Sequence, residues 1–145
     1  MPVLFIITGS NGAGKSSLGA SYLPPELKKQ QIFDGDKLAS SKSIEFYATV
    51  KSWKEAKRNA DSWLQKYFLK QVNSAINAKQ HFAYEGHFRN IETLKIPRKF
   101  KRNGYRLNLI FMGLIDPDQS ELRVLESKHP TTTIFLNCLI IPSFA

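Results

Sequence analysis

The sequence predicts an α/β fold in which helices cover both faces of a parallel sheet, giving a three-layer sandwich. Two observations support this prediction. Short apolar runs alternate with stretches of helical periodicity along the chain, which is typical of βαβ units. A glycine-rich segment directly follows the first apolar run, at the kind of strand-to-helix turn where α/β proteins bind ligands. The length of 145 residues predicts a single domain over residues 1–145.

Five strands are predicted, and most of the chain between them has the pattern of helices. The first, at residues 3–7, is continuously apolar, as expected for a strand buried on both faces. The others are expected at residues 31–33, 81–84, 105–114 and 131–141. Helices are predicted at residues 14–23, 53–75, 91–103 (broken near Pro97) and 118–127.

Composition narrows the class of protein. Hydrophobic residues make up 42% of the chain. A domain of this size buries roughly 70% of its unfolded surface, which is enough for a hydrophobic core without disulfides or metals. The single cysteine, Cys138, excludes an internal disulfide framework and a cysteine-built zinc cage. No segment approaches the ~20 apolar residues of a membrane span, and no signal peptide is apparent. We therefore expect a cytoplasmic protein without a membrane partner.

The chain is strongly basic. Lys and Arg number 21 and Asp and Glu 12, for a formal net charge of +9. Such a balance favours an anionic partner such as a nucleotide, a nucleic acid or a phosphosugar, and does not choose among them.

The most specific signal is a phosphate-binding loop that matches G-x-x-x-x-G-K-[ST]. Glycines let the backbone bring its N–H groups onto phosphate oxygens, and the following helix presents its positive end to the same anion. The lysine reaches the β- and γ-phosphates, and the hydroxyl after it ligates Mg²⁺. The motif predicts a site for a nucleoside triphosphate and Mg²⁺ rather than a glycine-rich turn that binds nothing, and it does not distinguish a kinase from an ATPase or a GTPase. The predicted nucleotide-binding residues are Gly9, Ser10, Asn11, Gly12, Ala13, Gly14, Lys15, Ser16 (also the metal ligand) and Ser17.

Acidic residues follow two of the predicted strands. Asp34 and Asp36 come after the second strand, and Glu85 after the third. A phosphoryl acceptor needs a carboxylate that orients its hydroxyl and takes its proton, and Asp36 is the better placed of the aspartates. The alternative for Asp36 is a helix cap after an Asp-Gly turn. Glu85 is predicted to bind substrate hydroxyls or a metal-bound water, the alternative being a structural hydrogen-bond acceptor.

Two further residues are candidates for substrate binding. Arg89, four positions past Glu85, is suited to hold a phosphate as a planar donor fork, or else is a solvated arginine before a helix. His87 offers a hydrogen-bonding group, although a lone histidine is more often structural. His81 and His129 have no ligand-like spacing, so no zinc site is assigned.

At these residues the chain resembles the zeta toxin family of P-loop kinases. The resemblance is carried by separated segments that together span residues 1 to about 126. The segments are residues 5–8 with the phosphate loop, Asp34-Gly35-Asp36, Glu85-Gly86-His87-Phe88-Arg89, Gly104-Tyr105 before a strand, and Ser120-Glu121-Leu122-Arg123-Val124.

The resemblance implies an adenylate-kinase-like core that uses ATP to phosphorylate the 3′-OH of UDP-N-acetylglucosamine. It gives Asp36 the place of the general base, and Glu85 and Arg89 fall on the family's acceptor motif Glu-Gly-Thr-x-Arg. His87 stands where that motif has threonine. Arg123 is implied at the nucleotide, and an antitoxin protein is suggested as a partner.

Residues 127–145 depart from the family. The family continues through a glycine-rich lid whose arginines contact the ATP phosphates, whereas this segment has no arginine and only Lys128 as a firm cation. A missing arginine of this kind costs ~10³–10⁵ in rate. One hypothesis is therefore a truncated or frame-shifted kinase that holds nucleotide but is slow or inactive.

The other hypothesis is that residues 131–141 form a native last strand and that the cations come from Arg89, Arg98 or Arg102. Two alternatives to a kinase also stay open. An ATP-dependent enzyme acting on nucleic acid fits the charge, but the aromatics between Trp53 and Tyr67 have helical spacing, so nucleic acid is not the expected partner. A nucleotide-binding module without catalysis is the second.

Overall fold

The computed structural model describes residues 1–9, 15, 19–25, 27–28 and 32–113, and the backbone of residues 137–142. These residues form four strands, three α-helices and two short 3₁₀ helices. The strands are β1 (Val3–Gly9), β2 (Phe82–Glu85), β3 (Arg106–Gly113) and β4 (Asn137–Pro142). The helices are α1 (Gly35–Val50), α2 (Trp53–Ala78) and α3 (Lys95–Arg102), and the 3₁₀ helices are Gly19–Tyr22 and Ile91–Leu94.

The strands form one sheet in the order β2-β1-β3-β4. The central strand β1 pairs in parallel with both β2 and β3, which confirms the predicted α/β fold with a parallel sheet. The edge strand β4 pairs antiparallel with β3 and overlaps the stretch predicted as the last strand, residues 131–141, ending one residue beyond it. The parallel ends of β1, β2 and β3 therefore meet at one edge of the sheet, where α/β proteins bind ligands.

Continuous burial of β1 explains why its sequence is apolar. Every residue from Val3 to Thr8 is buried. Val3, Phe5 and Ile7 face one side and join a core cluster with residues of the neighbouring strands and of the segment after the phosphate loop. That cluster also contains Leu23, Leu27, Ala83, Ile110 and Met112.

Aromatic residues outside this cluster anchor α3. Phe100 has no solvent-exposed surface and packs in a stacked arrangement on Phe82, with ring centroids 5.6 Å apart. Its edge meets the ring of Tyr105 at 4.8 Å. These contacts tie α3 to the start of β2 and to the residue before β3.

The described chain divides into two compact units, one of residues 1–32 and 81–145 and one of residues 33–80. The second unit is a hairpin of α1 and α2. Each of its helices begins with a side-chain cap and ends at a lysine in the left-handed conformation, Lys51 with φ +57° and Lys79 with φ +52°. Tyr47 near the end of α1 stacks on Trp53 at the start of α2, with ring centroids 4.2 Å apart. The expectation of one domain stays a prediction.

Three details differ from the sequence-based expectations. The predicted strand at residues 31–33 is wrong for its described part, where Phe33 forms only an isolated bridge. Helix α1 was not predicted, because none of its residues is buried and it has no apolar stripe to detect. No break occurs at Pro97, since it is the third residue of α3, where an N–H would have no partner within the helix.

Two predicted helices lie wholly or partly outside the described residues. Nothing is described of residues 118–127. Of residues 14–23, Lys15 is helical and Gly19–Tyr22 is a 3₁₀ helix that ends just before Pro24 and Pro25.

Replacement of Phe100 by alanine tests the aromatic anchor of α3. We expect the free energy of unfolding to fall by about 3–5 kcal/mol, because the change opens a cavity among rigid rings. Phe111→Ala is the control, since that ring is 45% exposed, and it should cost only about 1 kcal/mol. Urea denaturation of both variants measures the difference, and equal losses would contradict this account of the anchor.

Candidate functional site

The phosphate loop starts from a residue that has no room for a side chain. Gly9, the last residue of β1, has a φ of +153°, a conformation that residues with a Cβ rarely adopt. A Cβ built on Gly9 would overlap the carbonyl oxygen of Met112, its partner in β3. Glycine is therefore required here on two independent grounds, the backbone conformation and the close approach of β3.

Lys15 is the only described residue between Gly9 and Gly19. It is helical and only 8% exposed, and its Nζ donates a hydrogen bond to the carbonyl oxygen of Gly9 at 3.0 Å. The buried Lys15 side chain therefore reaches the carboxyl end of β1. A buried cation beside a turn is the arrangement that binds a phosphate chain.

Glu85 comes to the same edge of the sheet. It ends β2 and pairs in register with Ile7, two residues before the end of β1. The ladder continues one step further, where the Gly86 N–H donates to the carbonyl oxygen of Ile7 at 2.9 Å. Strand spacing then puts the Cα atoms of Glu85 and Gly9 about 8 Å apart. The structure therefore brings Glu85 and the base of the phosphate loop together, as expected from the sequence.

The loop after β2 carries the other two substrate-binding candidates. His87 is half-buried, and Arg89 is exposed just before Asn90. The Asn90 Oδ1 accepts a hydrogen bond from the Thr93 N–H at 3.3 Å and so starts the 3₁₀ helix at Ile91. Both residues follow the carboxyl end of β2, and their roles stay predictions.

Tyr84 offers a phenol one residue before Glu85, but it is not suited to accept a proton. Its side chain is 6% exposed. Burial raises the pKa of Tyr84 well above its usual value, because the charged phenolate loses its hydration. The hydroxyl therefore stays protonated near neutral pH. A general base must come from another residue.

The aspartate pair lies at the start of α1, in the unit of residues 33–80. The Asp34 Oδ1 accepts a hydrogen bond from the Lys37 N–H at 3.0 Å, so Asp34 is the N-cap of α1. The alternative interpretation of Asp36 as the helix cap is therefore wrong. Asp36 is exposed in the first turn, where the helix dipole favours a negative charge. Its proposed chemical role stays a prediction.

Most of the predicted nucleotide-binding residues lie outside the described part of the chain. Their roles also stay predictions. These residues are Ser10, Asn11, Gly12, Ala13, Gly14, Ser16, Ser17 and Arg123.

Sequence reasoning missed the contribution of β3 to this site. The Met112 carbonyl group lies against Gly9 and fixes the point at which the chain leaves the sheet. No local signal in the sequence identifies it, because the contact depends on the register between two strands about a hundred residues apart. His81 is structural, since its Nδ1 accepts a hydrogen bond from the Val3 N–H at 3.1 Å at the opposite end of β1.

Two other kinds of feature are absent from the described residues. No group of three or more His, Cys, Asp or Glu side chains in this part of the chain is arranged to hold a metal ion. No described helix has the length and apolar character needed to cross a membrane.

Comparison with known proteins gives one match. A family model described as zeta toxin matches residues 1–127. No curated protein and no solved structure matches the chain. The matched residues include every predicted site residue, and the match supports a P-loop, kinase-like protein that uses a nucleotide.

The requirement for glycine at the base of the loop is testable with a matched pair of variants. Gly9→Ala should lower the free energy of unfolding by more than the about 1–3 kcal/mol of an unfavourable φ alone, because its Cβ also overlaps the Met112 carbonyl. Gly104→Ala is the control, since Gly104 has a φ of +82° but nothing within 4 Å of a Cβ. Thermal or urea unfolding compares the two. A smaller loss for Gly9→Ala than for Gly104→Ala would contradict the close approach.

Proposed function

The chain belongs to the zeta toxin family, and on that premise we propose that it is an ATP-dependent kinase of small molecules. The proposed acceptor is a hydroxyl of a sugar nucleotide such as UDP-N-acetylglucosamine. The observation that carries the proposal is the buried Lys15 ammonium, which donates a hydrogen bond to the carbonyl of Gly9. Gly9 itself has no room for a side chain. Such a cation is suited to the charge of a triphosphate.

The proposed ATP site extends from Gly9 to Ser17, with Lys15 on the β- and γ-phosphates. Arg123 contributes a further cation. The buried cation and the glycine at the base of the loop fit a phosphate group and its Mg²⁺, and the Ser16 hydroxyl would hold the metal. When bound, Mg²⁺ neutralises charge on the phosphate oxygens. The protein itself supplies binding and orientation, which are the main requirements of phosphoryl transfer.

The acceptor is proposed to bind beside this loop through Glu85, His87 and Arg89. Support comes from the register of the sheet, which puts Glu85 at the carboxyl edge next to the end of β1. A carboxylate there accepts hydrogen bonds from sugar hydroxyls, and the Arg89 guanidinium is suited to a phosphate of the acceptor. His87 replaces the family's threonine and offers a ring N–H or nitrogen in place of a hydroxyl.

Asp36 is proposed as the general base. Its carboxylate takes the proton of the acceptor hydroxyl as the oxygen bonds to the γ-phosphorus, and ADP leaves with the former bridging oxygen. The proposal rests on the place of Asp36 in the Asp-Gly-Asp motif and on its exposure in the first turn of α1. We also propose a cytoplasmic location and a protein antitoxin as partner, both from the family.

The direct test is incubation of the protein with labelled ATP and a panel of sugar nucleotides, followed by mass spectrometry. A product heavier by one phosphate identifies the acceptor. ATP binding without any product would instead indicate a nucleotide-binding module, a function favoured by the scarcity of cations after residue 127.

Exchange of each aspartate for asparagine separates catalysis from helix capping. Asp36→Asn should lower kcat by about 10²–10⁴, because the acceptor loses its proton acceptor, while ATP affinity is retained. Asp34→Asn is the matched control, since asparagine caps a helix as well as aspartate does, and it should keep its activity. Steady-state kinetics measure both variants. Loss of activity in Asp34→Asn but not in Asp36→Asn would reverse the assignment.

Removal of the Lys15 ammonium tests the nucleotide site. Lys15→Met should weaken ATP binding by roughly tenfold to a hundredfold, because a charge-assisted hydrogen bond contributes about 1.5–3 kcal/mol. Lys28→Met provides a control of equal charge change at an exposed lysine. Titration with a fluorescent ATP analogue measures both affinities. Equal effects of the two changes would mean that the net charge, and not the loop, binds ATP.

A further inference from the structure

A cavity of about 340 Å³ lies on one face of the sheet, within the unit of residues 1–32 and 81–145. Its volume falls in the range of roughly 300–1,000 Å³ that is common for small-molecule sites. None of the residues assigned above to ATP or to the acceptor is among the described residues that line it. The cavity therefore needs a separate explanation.

The floor of the cavity is formed by apolar side chains of the two central strands. Ile6 of β1 and Leu109 of β3 are partners in the parallel ladder, and Leu107 precedes Leu109 by two residues. Residues with this spacing project from the same face of a sheet. Phe88, Leu94 and Pro97 add apolar walls from the chain after β2. Phe88 is 40% exposed, so the cavity is open to solvent on that side.

Two cations line the same cavity. Arg98 and Lys101 are three residues apart on α3 and therefore lie on one face of that helix. No acidic residue is among the described residues of the lining. An apolar space bordered by a guanidinium and an ammonium matches a ligand with an apolar body and an anionic group at one end.

The described lining of the cavity includes neither Gly9 nor Lys15. Ile6 lies three residues before Gly9, which corresponds to about 10 Å along an extended strand. A triphosphate is also a poor match to this lining, because its many charges would lose hydration against Ile6, Leu107 and Leu109 without enough partners. The occupant must be mostly apolar.

We propose that this cavity is a binding site for an amphipathic organic anion, with a compact aromatic or branched body and one carboxylate, sulfonate or phosphate group. The body lies on Ile6, Leu107 and Leu109, and the anionic group meets Arg98 and Lys101. This site uses none of the residues that the proposed kinase function uses. It differs from the alternative named in the sequence analysis, in which Arg98 would serve the ATP phosphates.

The test uses 8-anilino-1-naphthalenesulfonate, an aromatic anion whose fluorescence rises in apolar surroundings. The full chain should bind one equivalent saturably. N-phenyl-1-naphthylamine, which has the same rings without the sulfonate, should bind more weakly by about tenfold, because it lacks the charge-assisted contacts.

Two double variants with the same change in net charge separate the cavity from the general basicity of α3. Arg98→Glu with Lys101→Glu should lower the affinity for the anion by about tenfold or more and leave the affinity for the neutral amine unchanged. Lys95→Glu with Lys99→Glu is the control, because these exposed residues of the same helix do not line the cavity. The control should change the anion affinity by less than about twofold.

A third variant, Phe88→Ala, removes an apolar wall and should weaken both probes. Equal losses in the two charge-reversed variants would overturn the proposal, as would several equivalents of bound dye or unchanged binding in Phe88→Ala. Unchanged urea unfolding curves in the charge-reversed variants establish that the fold is not altered. The affinity of the Arg98 and Lys101 variant for a fluorescent ATP analogue then decides whether Arg98 also serves the nucleotide, and it should equal that of the unsubstituted protein. A loss of ATP binding in the Arg98 and Lys101 variant would likewise overturn the separation of the two sites.

Discussion

The contact between Gly9 and the backbone of Met112 is the constraint on which the rest of the site depends. β1 and β3 approach so closely at this point that only hydrogen fits on the Cα of Gly9. The Nζ of Lys15 donates a hydrogen bond to the carbonyl oxygen of this same glycine. Core packing of Ile110 and Met112 below the contact holds β3 in place. A binding loop is in this way supported by the most buried part of the sheet.

A cation and a carboxylate lie at the carboxyl edge of the same sheet. The Lys15 ammonium lies on the carbonyl of Gly9 at the end of β1. The parallel ladder pairs Glu85, at the end of β2, with Ile7, two residues before Gly9. A flexible side chain on a surface loop would have to lose more conformational freedom to reach the same geometry. Burial raises the pKa of Tyr84 above its usual value, so this phenol stays neutral to a higher pH than an exposed tyrosine does.

Local patterns predicted the parts of the structure that have local causes. The phosphate motif, the apolar β1 and the periodic α2 each carry their signal within a few turns of chain, and β1, α2 and the parallel sheet are confirmed. Helix α1 was not predicted because none of its residues is buried and its sequence has no apolar stripe. Asp34 caps this helix because its backbone is extended, whereas Asp36 already lies in the first helical turn. The amino-acid types alone do not reveal which of the two aspartates is the cap. The antiparallel direction of β4 depends on its pairing with β3, which local sequence patterns do not predict.

The two lysines that end α1 and α2 also bear on how this protein can evolve. Lys51 and Lys79 adopt a left-handed backbone that costs an ordinary residue roughly 1–2 kcal/mol and glycine almost nothing. Replacement of either lysine by glycine is therefore a single-codon route to a more stable helical hairpin for a lineage that moves into a hotter habitat.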